Sequence, residues 1–177
     1  MSELIPATVA KFGGSSMAKP ETVGQIIENR PDQVIIVTSA PGTDENTNEK
    51  MTDTLYAYSS LLNKNDPRAL IVLDEIVSRY DSLYSSLDSS DRSDLRDSVA
   101  SALTSPFNKS EAYIVSRGEF FSALYLATLT GLEMEYPQIK FDKNGMVNRN
   151  ETHAAIQHQV LSSNSNRLII PGFFGED

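Results

Sequence analysis

The chain contains no cysteine, which excludes disulfides, thiolate metal sites and cysteine nucleophiles and fits a reducing compartment. It is also short of basic charge: 15 Lys and Arg stand against 24 Asp and Glu, giving a net charge of -9. Such a surface repels nucleic acid and acidic lipid, so neither is expected as a partner. Long apolar runs are missing too. None approaches the roughly 20 residues needed to span a bilayer, and the first residues lack the basic start and apolar stretch of a secretion signal. The expectation is a soluble, cytoplasmic protein whose partners are small molecules or other proteins.

What is present is enough for one ordinary core: 177 residues, 40% of them hydrophobic and 22% charged, the balance of a single globular domain. "TVAKF" (Thr8 to Phe12) reads as a short strand that stops at two glycines. "PETVGQIIENR" places Val23, Ile26 and Ile27 at helical spacing, and Pro20 suits the first turn of that helix. In "QVIIVTSAPG" the consecutive apolar residues Val34 to Val37 mark a strand covered on both faces, ending at Pro41-Gly42. Strand, helix, strand in this order implies two parallel members of one sheet.

The middle third has a different texture. "TDENTNEK" is polar and without periodicity, a loop rather than a metal site. From Leu73 onward Ile76, Val77, Tyr80, Leu83, Tyr84 and Leu87 fall on one face, which predicts an amphipathic helix. A second helix follows through Leu95, Val99 and Leu103. Ten serines between Ser78 and Ser105 give the stretch a linker-like composition, but the apolar stripe assigns them to a solvated helical face.

The final third returns to alternation. "SEAYIVSRGEFFSALYLATLTG" is a long helix, with Ser110 as N-cap and Gly131 as its stop. "QIKFDKNGMVNR" predicts a hairpin about Asn144-Gly145. "ETHAAIQHQV" reads as a helix and "RLIIPGFFG" as a buried strand running into a glycine turn. His153 and His158, five apart and so about 140° around a helix axis, form no metal pair. No metal-ligating residue is singled out.

Four short stretches carry the candidate chemistry. In "KFGGSS" the glycine N–H groups can converge on an anion, Lys11 adds a point charge, and Ser15 or Ser16 adds donors. The order is not that of a Walker loop, where lysine follows the glycines, and a pair of glycines after a strand is more often a tight turn. "TSAPG" puts Thr38, Ser39 and Ala40 at a strand's carboxyl end, where open α/β sheets bind ligands, yet a plain Pro-Gly turn explains it as well. Thr52 and Asp53 in "KMTDTL" stand where N-caps would. Glu119 in "SRGEFFS" is a carboxylate in an apolar helix, and must be exposed, paired or reserved for a cationic ligand group.

In this order, "KFGGSS", "TSAPG", "KMTDTL", "SRGE" and "PGFFG" resemble the motifs of aspartokinases, in the amino acid kinase superfamily, and the resemblance extends over essentially the whole chain. It implies an α/β fold, a three-layer αβα sandwich about a mostly parallel sheet, incomplete at its C-terminus. The implied reaction of the parent enzyme transfers the ATP γ-phosphate, with Mg²⁺, to the β-carboxylate of L-aspartate, the first step toward lysine, threonine and methionine.

The resemblance also implies roles. Lys11 neutralises charge on the transferring phosphoryl group, with Gly13, Gly14 and Ser15 as the cradle for ATP phosphate. Ser39 and Ala40 line the loop around the reacting groups, Thr52 contacts substrate, Glu119 receives its α-amino group, and Phe173 packs near it. "SS" at Ser15-Ser16 stands where the family more often has "TS".

The family pattern continues with a glycine-rich "GRGGSD"-like loop, a nucleotide-binding half and ACT domains, none of which this sequence contains. Residues 1–177 are therefore expected to be the N-terminal portion of an amino acid kinase domain with a helical insertion at about 52–105. Such a portion would bind no cofactor tightly, would not phosphorylate aspartate unaided, and would leave a sheet edge or apolar face for a homo-oligomer to cover. A non-catalytic amino-acid-binding or assembly module of the same fold is the alternative of another class. A glutamate kinase is a third, against which "SRGE" after a long helical stretch speaks.

Overall fold

A computed structural model describes residues 8–43, 48–105, 110–136, 139–164 and 166–172. In chain order the elements are β1 (Thr8–Phe12), α1 (Gly14–Met17), α2 (Pro20–Asn29), β2 (Gln33–Thr38), α3 (Met51–Asn63), α4 (Ala69–Leu83) and α5 (Ser89–Thr104). There follow α6 (Glu111–Thr130), β3 (Glu133–Met134), α7 (Arg149–Ser162) and β4 (Leu168–Pro171). The strands form one sheet in the order β1-β2-β4-β3, and every pairing is parallel. The α/β class and parallel sheet expected from the alternation are therefore what the chain adopts.

Strand alternation sorts the sheet into two faces. On one, Phe12, Ile36 and Ile169 join the main core with Val23 and Ile27 of α2 and Leu126 of α6. On the other, Leu168 and Ile170 pack with Val160 of α7, and Ile35 lies against them. Helices thus cover both faces, as long parallel crossovers require. β1 and β3 stand at the two ends of the described strand order, and Val9 on β1 is 58% exposed.

The helices stop and start where their sequences say. Pro20 opens α2. The Ser110 side chain accepts the Tyr113 N–H at 3.1 Å at the start of α6, and Gly131 ends that helix in the left-handed region at φ 67°, where a side chain would be strained. Asp88 caps α5 through the N–H groups of Ser90 and Asp91. Of the expected stripe, Ile76, Val77 and Tyr80 of α4 and its C-cap Tyr84 are buried, whereas Leu83 and Leu87 are half-buried and the helix ends at Leu83, before Leu87.

α6 is the spine of the helical layer. Tyr80 meets Phe121 edge-on with centroids 5.4 Å apart, and Tyr84 stacks on Tyr125 at 5.1 Å. Their hydroxyls are not orphaned: Tyr80 donates to Gly118 O at 3.0 Å and Tyr84 to Phe121 O at 3.2 Å. Buried tyrosines with satisfied hydroxyls combine large apolar area with fixed orientation.

Three local expectations need correction. The Asn144-Gly145 turn forms, with Gly145 at φ 75°, a Phe141–Val147 bridge and the Asn148 N–H donating to Lys140 O at 2.7 Å, but among the described residues no strand extends from it. Phe141, Met146 and Val147 are all exposed, so no apolar face is buried to hold a longer ladder. Ile26 is 41% exposed, outside the buried stripe formed by Val23 and Ile27. Thr52 and Asp53 are not caps: the N-cap of α3 is Lys50, with no side-chain cap bond. His153 and His158 are exposed on α7, and no group of three or more metal-ligating side chains occurs among the described residues. No helix among them is long and apolar enough to cross a membrane.

Candidate active site

Because the strands are parallel, the carboxyl ends of β1, β2 and β4 open onto one rim. Lys11 stands opposite Val37 in the β1–β2 register, so its side chain shares a face with Val37 and, one further step along, with Ser39. The Lys11 Nζ donates to Ser39 Oγ at 3.0 Å. The Ser39 N–H in turn donates to Phe12 O at 3.0 Å, so backbone and side chain both tie "KFGGSS" to "TSAPG". Lys11 is exposed and Ser39 half-buried, which leaves the ammonium reachable from solvent.

The two glycine loops are pressed together. The Gly42 N–H donates to Gly14 O at 2.8 Å. A Cβ on Gly42 would lie 2.8 Å from Gly14 C, and one on Gly14 would lie 3.2 Å from Ala40 O. Close backbone approach is therefore what both positions require. Gly13 differs: its φ of -77° is ordinary and a Cβ there would meet nothing within 4 Å. Gly13 O accepts the N–H groups of Ser16 and Met17 at 2.9 and 3.0 Å, so it starts the single turn of α1. The N–H groups of Gly14 and Ser15, in that first turn, have no acceptor within the helix itself, and Ser15 and Ser16 are exposed.

α3 is fastened to the same rim by the Met51 N–H, which donates to Pro41 O at 3.0 Å. Thr52, the next residue, is half-buried, and its hydroxyl does not cap the helix. Glu119 comes from α6. Gly118 lets that helix approach, since a Cβ there would meet Ala40 Cβ at 2.8 Å and Leu55 at 3.0 Å. Glu119 O accepts the Thr38 hydroxyl at 3.2 Å, and Thr38 O accepts the Gly172 N–H at 2.9 Å. The half-buried Glu119 carboxylate lies over the end of β4, its Oε2 3.0 Å from where a Gly172 Cβ would stand.

Lys11 at the end of β1, Ser39 and Ala40 in the loop after β2, and Gly14, Ser15, Thr52 and Glu119 on helix turns thus meet at one rim, and Gly13 joins them as the N-cap of α1. Phe173 lies outside the described residues. Sequence reading passed over Arg79, whose Nη2 donates to Gly42 O at 2.6 Å from α4. The available signal was a charged residue inside the stripe of Ile76, Val77 and Tyr80. It also passed over the packing needs of Gly42 and Gly172, because glycine in a turn looks the same whether it serves φ or proximity.

A parallel α/β sheet with its loops gathered at the carboxyl rim is a ligand-binding class of fold. Solved structures place the chain more narrowly. It matches aspartate kinase from Clostridium acetobutylicum with a TM-score of 0.72 and 29% identity, covering 93% of this chain and 38% of that one. It also matches E. coli aspartokinase III in complex with aspartate and ADP, at 0.65 and 18%, covering 94% of this chain and 40% of the other. The same enzyme with lysine and aspartate matches at 0.59 and 18%, with coverages of 93% and 40%. No protein-family model and no curated protein sequence matches. The chain has an aspartate-kinase-like α/β fold, and it spans about two-fifths of the length of the enzymes it resembles.

Proposed function

We propose that this chain supplies the aspartate-binding side of an aspartate kinase, in which the parent enzyme transfers the ATP γ-phosphate to the β-carboxylate of L-aspartate. The observation that carries the reading is the Lys11–Ser39 bond at 3.0 Å, set beside the Gly14–Gly42 contact on the rim that also holds Glu119. Phosphoryl transfer to a carboxylate needs positioning and charge stabilisation more than covalent help. These residues offer both.

In this reading Glu119 accepts the substrate's α-ammonium, a charge-assisted contact in a half-buried setting. Thr52 and Ser39 offer hydroxyls to the carboxylate end, and Ala40 borders the same loop. Lys11 balances the negative charge that gathers between acceptor carboxylate and phosphoryl group. The N–H groups of Gly14 and Ser15 add neutral donors for the same phosphoryl oxygens. ATP, with Mg²⁺, supplies the phosphoryl group. The donor set of Lys11, Gly14 and Ser15 fits phosphate oxygens, whereas the described residues offer no carboxylate cluster for Mg²⁺, so the metal is assigned no ligand from them.

Calorimetric titration with L-aspartate and with succinate tests this reading. Succinate keeps both carboxylates and lacks the amino group. Glu119→Gln is expected to weaken L-aspartate at least tenfold, about 1.4 kcal/mol, while leaving succinate within twofold. Equal losses for both ligands, or no aspartate binding by the unsubstituted chain, would overturn it. ATP-dependent aspartyl hydroxamate formation measures turnover separately, and the polypeptide by itself is expected to give none.

A further inference from the structure

Arg79 is 8% exposed on the buried face of α4, beside Ile76, Val77 and Tyr80. Holding a guanidinium there is costly unless its head is engaged, and filling the space alone would be served by Leu or Met. Its Nη2 donates to Gly42 O at 2.6 Å, a short charge-assisted bond. Gly42 is also the residue whose N–H bonds Gly14 O at 2.8 Å, and whose Cα leaves no room for a side chain against Gly14. One peptide segment is thus held from two sides, by Arg79 at its carbonyl and by Gly14 at its amide. With the Ser39 N–H on Phe12 O and the Met51 N–H on Pro41 O, the segment from Ser39 to Gly42 is fixed at both ends and in the middle.

We infer that Arg79 is a positioning residue: from the helical layer, it sets the register of the Ser39–Gly42 loop against the Gly14 loop, and so the geometry in which Lys11 and Ser39 meet a ligand. It touches no ligand itself. The inference rests on the functional reading above for what the loop pair binds, but the mechanical link stands on its own bonds. An arginine suits the task because its planar fork reaches a carbonyl from a rigid helix, while the lysine head is a single mobile point.

Amide hydrogen exchange of the intact chain tests it, with Ile36 in β2 and Tyr80 in α4 as internal references. In Arg79→Met the Gly42 amide is expected to exchange at least tenfold faster while both references keep their protection. In Arg79→Lys it should fall between Arg79→Met and the unsubstituted chain. L-aspartate affinity should follow the same order, with at least a tenfold loss for Arg79→Met. If the Gly42 amide is unchanged, or if all three amides accelerate together, the inference fails. Should Arg79→Met not fold, Arg79→Lys decides: a Gly42 amide at least threefold faster with Ile36 unchanged supports the link, and a Gly42 amide that tracks Ile36 overturns it. Selective loosening of Gly42 in a chain that binds no aspartate would keep the link and remove the functional reading.

Discussion

The Lys11 ammonium and the Ser39 hydroxyl are 3.0 Å apart although 28 residues separate them in the chain, because adjacent parallel strands bring both to one face of the rim. The bond is exposed, and exposed polar contacts add little to stability. Lys11→Met should therefore shift the urea unfolding free energy by no more than about 0.5 kcal/mol. A loss above about 2 kcal/mol, in the range of structural residues, would make Lys11 a structural residue and leave it no part in phosphoryl chemistry.

The approach of α6 to the rim depends on a missing side chain. Gly118→Ala would gain up to about 1 kcal/mol of helix propensity but must displace Ala40 and Leu55, which stand 2.8 and 3.0 Å from the new Cβ. Overpacking of this kind costs about 1–3 kcal/mol. A net loss is expected on denaturant unfolding. Combined with Ala40→Gly, which removes one of the colliding groups, the loss should shrink; simple additivity of the two substitutions would show that the contact is not what matters.

Alkaline pH should unfold the helical layer before it ionises that layer. Burial pushes the pKa of the Tyr80 and Tyr84 hydroxyls above the ordinary tyrosine value, that of Tyr84 well above it. The unfolded chain then loses protons near pH 10 that the folded chain keeps, so stability falls as pH rises above that value. In a rapid pH jump, part of the tyrosinate absorbance should appear only at the rate of unfolding. Tyr84→Phe removes the bond to Phe121 O and should cost about 1 kcal/mol.

At the acid end carboxylates held by arginines set part of the slope, among them Asp32 beside Arg30, Asp66 and Asp81. The hydrogen bond from Arg68 lowers the Asp66 value to about 2. The hydrogen bond from Arg92 lowers that of Asp81, bonded to it at 2.6 and 2.9 Å. A depressed folded value means stability that is complete above the unfolded value near 4 and lost as pH falls through the folded one. The thermal midpoint should therefore drop between pH 4 and 2, and Asp81→Asn should flatten part of that drop. An identical pH profile for the variant would show that the α4–α5 pair is not coupled to folding.

Much of this was legible where one local rule governs. The apolar run of β2, the Ser110 cap and the Gly131 stop depend on neighbours within a turn or two, and the chain folds as they read. The tie of motif to motif needed the fold, because Lys11, Ser39, Thr52 and Glu119 meet only through strand register and helix docking. The Asn144-Gly145 turn gave a true local signal, but strands need a partner surface that Phe141 and Val147 do not find. α1 and β3 were missed for a different reason: at four and two residues they are too short to show any period.

The strand order has a bearing on biogenesis. β4, the last of the described strands to be synthesised, is inserted between β2 and β3, and Gly172 just after it supplies the N–H that meets Thr38 O. Until residues 168–171 leave the ribosome, β2 lacks one neighbour and β3 has none, and the rim lacks one wall. Pairings this distant in sequence form slowly and late, so the Lys11–Ser39 tie across β1 and β2 is available early in synthesis, whereas the wall that Gly172 gives to Thr38 is added last.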